Sequence, residues 1–257
     1  MNKIRGLWRI GSMAFVLAVG TAVILLTAWI PIHIRRIRLC AWPIPFMARL
    51  FLRVFRIQFI CPEPEKFRQH TGFIFPNHVS FLDIIIFVAL LPVRFVSKEE
   101  IRHWPFIGWI AQAIGTVFVD RENKAAREQT RQRLAHTVFY PPVVLFPEGR
   151  ISNRPDQLLP FRFGAFEIAV QHQISILPCV LLYDPVAIMH WYDEPFFRAL
   201  WRVATAYSPL RVELIALPVI TPKPNDDPRQ LAVAVHGVMD AIIRHHRQPG
   251  DVIQEGL

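Results

Sequence analysis

Cysteine is scarce in this chain. There are three in 257 residues (Cys40, Cys61, Cys179), far apart and without a C-x-x-C. That excludes a disulfide framework and a Cys-based zinc site, and it fits a reducing compartment. Glycine is also scarce, at 11, and the 22 prolines are scattered, so no collagen-like or proline-repeat segment exists. No period of about 20–50 residues recurs, which excludes solenoids and propellers. Charged residues make up only 19% against 53% apolar. This balance excludes a disordered chain and is oily for a freely soluble enzyme. It is still too charged for a multispan transporter. Acids are the scarcer sign, with 20 Asp and Glu against 29 Lys and Arg, for a net charge of +9. The excess points to anionic partners: lipid headgroups, phosphorylated substrates or nucleic acid. Nucleic acid is disfavoured, because the basic residues gather beside oily segments and no recognition motif appears.

The longest stretch without Lys, Arg, Asp or Glu lies between Arg9 and Arg35. Its most apolar part, Met13 to Ile30, makes a helix about 27 Å long, close to a bilayer core of roughly 30 Å. A signal peptide is the rival reading, since Lys3, Arg5 and Arg9 give a basic start. The segment ends in Trp29, Pro31, His33, Arg35, Arg36 and Arg38, not in a small-residue cleavage site, which disfavours that reading. More positive charge follows the segment than precedes it. A spanning segment therefore leaves the rest of the chain on the cytoplasmic face of the cytoplasmic (inner) membrane. In the next stretch, Phe46 to Ile60, the spacing of Arg49, Arg53 and Arg56 puts them on one helical face. Phe46, Leu50, Phe51, Val54 and Phe55 cover much of the remainder. The pattern predicts a helix lying in the interface, with guanidiniums at phosphate level; a domain helix with a solvated basic stripe is the alternative. Residues 1–60 are read as an N-terminal membrane-associated helical pair and residues 61–257 as the folded domain. Crossing the bilayer and dipping into it as a hairpin both fit the pattern.

From residue 71 to about 182, strand and helix patterns alternate. Strands are predicted at 71–76, 93–96, 115–119, 143–146 and 174–182. Helices are predicted from Ser80 to before Pro92, over 104–113 and 123–135, and from Phe163. A further strand at 210–219 precedes a closing helix over 229–247, introduced by Asp227-Pro228 as N-cap and N1. Such alternation predicts an α/β fold with a mixed, largely parallel sheet flanked by helices. Residues 186–209 interrupt it with Trp191, Tyr192, Phe196, Phe197, Trp201 and Tyr207. Core filling is the default reading of these aromatics, with a second membrane-facing surface as the alternative.

The sharpest motif is Asn77-His78-Val79-Ser80-Phe81-Leu82-Asp83, at a strand–helix junction. Five residues apart on one helix, His78 and Asp83 would be about 140° out of phase. His78 therefore belongs to the turn before the helix and Asp83 to its first turn. There the carboxylate can orient the imidazole and steady its charged form, leaving His78 as general base on a hydroxyl. With 10 His and 9 Asp in the chain, chance supplies about a third of one such spacing. A second one, His246 and Asp251, follows no strand and is read as coincidence. A structural reading competes at the first: Ser80-x-x-Asp83 looks like a capping box. Three further segments add weight at or near strand ends, where α/β sheets collect ligands. They are Gly115 to Arg121, Phe146-Pro147-Glu148-Gly149-Arg150, and Leu159 to Phe166 followed by Ile176 to Cys179. Arg121 and Arg150 offer planar forks for a phosphate, and Gly149 lets backbone N–H groups approach it.

As an ordered set over roughly residues 70–182, these segments closely resemble the PlsC-like glycerolipid acyltransferases, especially the 1-acyl-sn-glycerol-3-phosphate acyltransferases. Asn77-His78-x-Ser80-x-x-Asp83 resembles the first block, Gly115 to Arg121 the second, Phe146 to Ser152 the third, and Ile176 to Cys179, with Pro178 inside, the fourth. The oily and basic N-terminal segments resemble the family's membrane-dipping pair. The resemblance implies a glycerol-3-phosphate acyltransferase-like fold and acyl transfer from acyl-CoA or acyl-carrier protein to a lysophospholipid hydroxyl, giving phosphatidic acid. It implies no cofactor and no metal. In it, His78 takes the proton, Asp83 orients His78, and Arg121, Glu148, Gly149 and Arg150 hold the acceptor; Lys98 matches a basic position that assists. One departure stands out. The third block commonly reads Phe-Pro-Glu-Gly-Thr-Arg, and here Arg150 comes one position early with Ile151 in the usual Arg place. Arg150, Arg154 or Arg162 then serve instead, or the acceptor is another lysolipid, such as lysophosphatidylcholine, lysophosphatidylethanolamine or lyso-ornithine lipid. A catalytically inactive lipid-binding relative is the remaining alternative.

Overall fold

The fold is known from a computed structural model, which describes residues 2–34, 37–120, 132, 134, 140–155, 157–207 and 209–247. The chain opens with a long helix, α1 (Asn2–Thr27), then a small antiparallel pair, β1 (His33–Ile34) and β2 (Ile37–Arg38). After these come α2 (Pro43–Val54), β3 (Ile57–Ile60), α3 (Pro64–Gln69), β4 (Phe73–Pro76) and α4 (Leu82–Leu90). Next are β5 (Arg94–Lys98), α5 (Ile107–Ala113), β6 (Val117–Val119) and β7 (Val143–Val144). Then follow α6 (Gly164–Gln171), β8 (Ile176–Asp184), α7 (Val186–Met189), α8 (Phe196–Thr205), β9 (Leu210–Ala216) and α9 (Pro228–Arg247).

Seven strands form one sheet in the order β3-β9-β8-β4-β7-β5-β6. Every neighbouring pair is parallel except β8 and β9. Strand parity divides the core into two layers. Ile74, Val144, Leu177, Cys179, Leu181 and Tyr183 face the layer built from α1, α2, α4 and α8. Phe73, Phe75, Val143, Ile176, Val180 and Leu182 face α6 and α9. The mixed, largely parallel sheet flanked by helices is as the alternation predicts. Asp227 caps α9 as its sequence suggests, accepting from Arg229 N at 2.8 Å.

The N-terminal reading needs correction at its boundary. The helix expected over 46–60 stops at Val54, and Phe55 caps it. Arg56 then takes a left-handed turn (φ 56°), and residues 57–60 enter the sheet as an edge strand beside β9. The sheet thus takes its first strand from the segment assigned to the membrane pair. Arg49, Arg53 and Arg56 do not share one helical stripe: Arg49 Nε donates to Ala89 O at 2.8 Å, at the end of α4. The helix α1 is long and apolar enough to cross a membrane, and only 11% of its apolar window is buried. It is nonetheless docked on the domain through two glycines. A Cβ at Gly6 would meet Thr205 of α8 at 2.7 Å, and one at Gly20 would meet Met47 of α2 at 2.2 Å.

The aromatics of 186–209 fill the core only in part. Trp191 and Phe196 pack edge-on against Phe81, at 5.9 and 5.2 Å between centroids, whereas Phe197 and Tyr207 are about four-fifths exposed. Of the helix predicted at 123–135, only residues 132 and 134 are among the described residues, and both are helical; Arg121 and Asp251 lie outside them.

Candidate active site

The topology creates the site. From β4 the chain moves by way of α4 to β5, on one side of β4, and from β7 by way of α6 to β8, on the other. The turns leaving the carboxyl ends of these two adjacent strands therefore part, and a crevice opens between them. His78 lies in the turn after β4 and Glu148 in the turn after β7.

Asp83 is fully buried in the first turn of α4. Its Oδ2 accepts from the backbone N–H of Val79 at 2.9 Å and of Ser80 at 3.1 Å, and it meets His78 Nδ1 at 2.6 Å. Its Oδ1 accepts from the Tyr183 hydroxyl. A carboxylate collecting donors on every side requires that His78 Nδ1 carry the hydrogen, which leaves Nε2 as the ring's acceptor. The imidazole is 20% exposed and stacks on Phe146 at 4.0 Å between centroids. The capping and catalytic readings of Asp83 are therefore compatible, because one oxygen closes the turn and orients the ring together. Ser80 has a separate part: its Oγ donates to Met189 O at 2.5 Å and accepts from Leu82 N at 3.3 Å. Burial and the adjacent Asp83 push the Tyr183 phenol well above its ordinary range, which keeps it a donor.

Asn77 and Glu148 hold the neighbouring backbone. The Asn77 amide donates to Leu181 O at 3.0 Å and accepts from Leu181 N at 2.7 Å. This extends the β4–β8 ladder past its last pair, Pro76 with Cys179. Glu148 is 4% exposed, and its two oxygens accept from His78 N at 2.7 Å and Leu159 N at 2.9 Å. It therefore ties the turns after β4 and β7 to the loop before α6. Burial raises its carboxyl from 4.5 to about 7, against the pull of the two N–H donors, and the Asp83 carboxylate adds to the rise.

A cleft of about 650 Å³ opens on this cluster. Its walls include His78, Glu148, Arg154, His190 and the carboxyl end of β8. Of the other expected site residues, Pro147 is buried, and its carbonyl accepts from Arg162 N at 2.8 Å. Gly149 needs to be glycine: its φ is +74°, and a Cβ would meet Arg162 Nε at 2.6 Å. Its N–H donates to Phe146 O at 3.0 Å, closing the turn. Arg150 is exposed and is not a wall of the cleft, whereas Arg154 is one. Lys98 is exposed at the end of β5, two places from β4 in the sheet, and does not line the cleft. Gly115 (φ +76°) turns the chain into the amino end of β6, on the far edge from the cleft. Pro178 is buried inside β8, opposite Phe75. Sequence reasoning missed Tyr183. The available signal was parity, since Tyr183 shares the face of Cys179 and Leu181, on which α4 packs.

The fold and site together are an α/β domain whose crevice holds an oriented His–carboxylate pair. The comparisons narrow it. The sequence model of the Acyltransferase family matches residues 58–182. A lyso-ornithine lipid O-acyltransferase of Rhodobacter capsulatus is 33% identical over 65% of this chain and 63% of its own length. A protein of the same name from Pseudomonas aeruginosa is 30% identical over 71% and 70%. A 1-acyl-sn-glycerol-3-phosphate acyltransferase of Neisseria meningitidis is 31% identical over 61% and 63%. This chain thus spans under two thirds of the R. capsulatus and N. meningitidis relatives. The crystal structure of the 1-acyl-sn-glycerophosphate acyltransferase PlsC from Thermotoga maritima shares the fold, with a TM-score of 0.75 at 19% identity over 97% of this chain and 99% of that one. The chain belongs to the PlsC-like acyltransferase family.

Proposed function

We propose that this protein is a lysolipid O-acyltransferase in which His78 is the general base. Nε2 of His78 takes the proton from the acceptor's free hydroxyl, and the oxygen attacks the thioester carbonyl of acyl-CoA or acyl-carrier protein. The C–O bond forms, the C–S bond breaks, and the imidazolium returns its proton to the thiolate. Asp83 holds the ring and steadies its charge. Proton, nucleophile and leaving group are all accounted for. The observation that carries this reading is the His78–Asp83 contact at 2.6 Å, with the other ring edge, unpaired among the described residues, at the cleft.

The acceptor is 1-acyl-sn-glycerol-3-phosphate, and the product phosphatidic acid. The basic cleft wall at Arg154 supports an anionic head group there, with Arg121 as a further expected contact. The bilayer supplies the acceptor at the cytoplasmic face of the membrane, in keeping with the long apolar α1. A second reading, acylation of lyso-ornithine lipid, is favoured by Ile151 in the usual arginine position and by the names of two relatives. Supplying the purified protein with a lysolipid panel and labelled acyl-CoA separates the two, since preference for lyso-ornithine lipid overturns the first. In His78→Ala, turnover should fall by about 10²–10⁴-fold, with lysolipid binding retained. Undiminished turnover defeats His78 as the base, and a wild-type protein that acylates no member of the panel defeats both acyltransferase readings and leaves a lipid-binding protein.

A further inference from the structure

A second concavity lies where the start of α1 meets the ends of α2 and α8, away from the catalytic cleft. It encloses about 440 Å³ and is lined by Arg5, Trp8, Arg9, Arg53, Val54 and Arg56. Among the described residues, none of these four arginines forms an ion pair. The fold accounts for two of them. Arg5 Nη2 donates to Thr205 O and Ala206 O at 3.1 and 3.2 Å, and Arg9 Nη1 to Ala204 O at 2.9 Å. These carbonyls end α8, where cations are favoured. Even so, Arg5 Nε is buried without a partner among the described residues.

Arg53 and Arg56 are different. Both are exposed. The position of Arg56, just past the end of a helix at φ 56°, is one that glycine or asparagine usually fills. The chain thus places a strained arginine where its side chain completes a cationic pocket. Four like charges in one concavity repel unless an anion joins them. The surroundings describe that anion's carrier: Ile4, Leu7, Trp8 and Tyr207 are 74%, 63%, 63% and 81% exposed at the same end of α1 and α8. We propose that this pocket binds a phosphate group, supplied by a membrane phospholipid whose apolar body lies along the exposed start of α1. The inference does not rest on the acyltransferase reading.

The test is native mass spectrometry of the full chain released from neutral detergent, titrated with phosphatidylglycerol, with inorganic phosphate as a competitor in a second arm. Arg56→Gly keeps the left-handed turn and relieves its strain, so its melting temperature should hold or rise. Combined with Arg53→Gln, it should weaken phosphatidylglycerol retention by about 10- to 30-fold, as expected for losing two cations at a phosphate. Arg53→Gln alone, at an exposed helix position, provides the same test if the double variant does not fold. Unchanged retention in these variants overturns the site. Displacement of the lipid by inorganic phosphate at equal concentration overturns the lipid as its source and assigns the pocket to the free anion.

Discussion

Tyr183 shows how one hydroxyl can bear on chemistry it does not touch. Asp83 has no solvent around it. Its Oδ2 is shared by the His78 ring and two backbone N–H groups, while Oδ1 is met by the Tyr183 hydroxyl. Without that hydroxyl, a buried carboxylate oxygen loses its donor and the carboxylate is held through Oδ2 alone. Tyr183→Phe fills the same space. It should cost about 1–2 kcal/mol of stability for the unpaired oxygen. A positioning role adds a kinetic signature: kcat falls by about tenfold or more while KM for the lysolipid holds, because only the oriented ring is lost. Steady-state kinetics of the folded variant check this; unchanged kcat limits Tyr183 to packing.

At the scale of elements, much of the site was legible and some boundaries were not. Strand–helix alternation placed His78, Glu148 and Pro178 on or beside β4, β7 and β8, and the five-residue spacing required His78 to precede α4. Local pattern could not show that β3 follows directly on α2, because Ile57 to Ile60 continues the apolar run and the break is made by backbone conformation at Arg56. Nor could it show that Glu148 faces backbone donors 70 residues upstream and 11 downstream. Asn77 lies between these cases: its place was visible, its part was not. Its amide stands in for a peptide group and continues the β4–β8 ladder. Asn77→Ala leaves both polar groups of Leu181 unpaired in the interior, a cost of about 2–3 kcal/mol. Thermal unfolding should show a melting temperature about 5–10 °C lower. A change within error would mean that this amide is dispensable to the sheet.

Over the whole molecule, Glu148 is where burial and pH meet. Its folded value of about 7 lies above the ordinary 4.5, so the folded state binds its proton more tightly than the unfolded state does. Stability from this group is therefore fully present below about 4.5, declines as pH rises through the interval, and is lost above about 7. The range of the effect is on the order of 3 kcal/mol. His70 works in the opposite sense. Burial lowers its value below 6.5, while its contact with Phe73 O at 2.9 Å pulls the other way. Its contribution is present above 6.5 and is lost as pH falls through the depressed value. The measured curve of the full chain sums the two, and the difference between wild type and Glu148→Gln isolates the first. Glutamine keeps the shape, but its amide accepts from only one of the two N–H groups. The variant should be less stable than wild type at low pH, and the gap should narrow as pH rises from 4.5 to 7. Denaturant unfolding across that range reads the gap directly. A constant gap would show that Glu148 stays ionised in the fold and that its two backbone donors outweigh the cost of burying its charge.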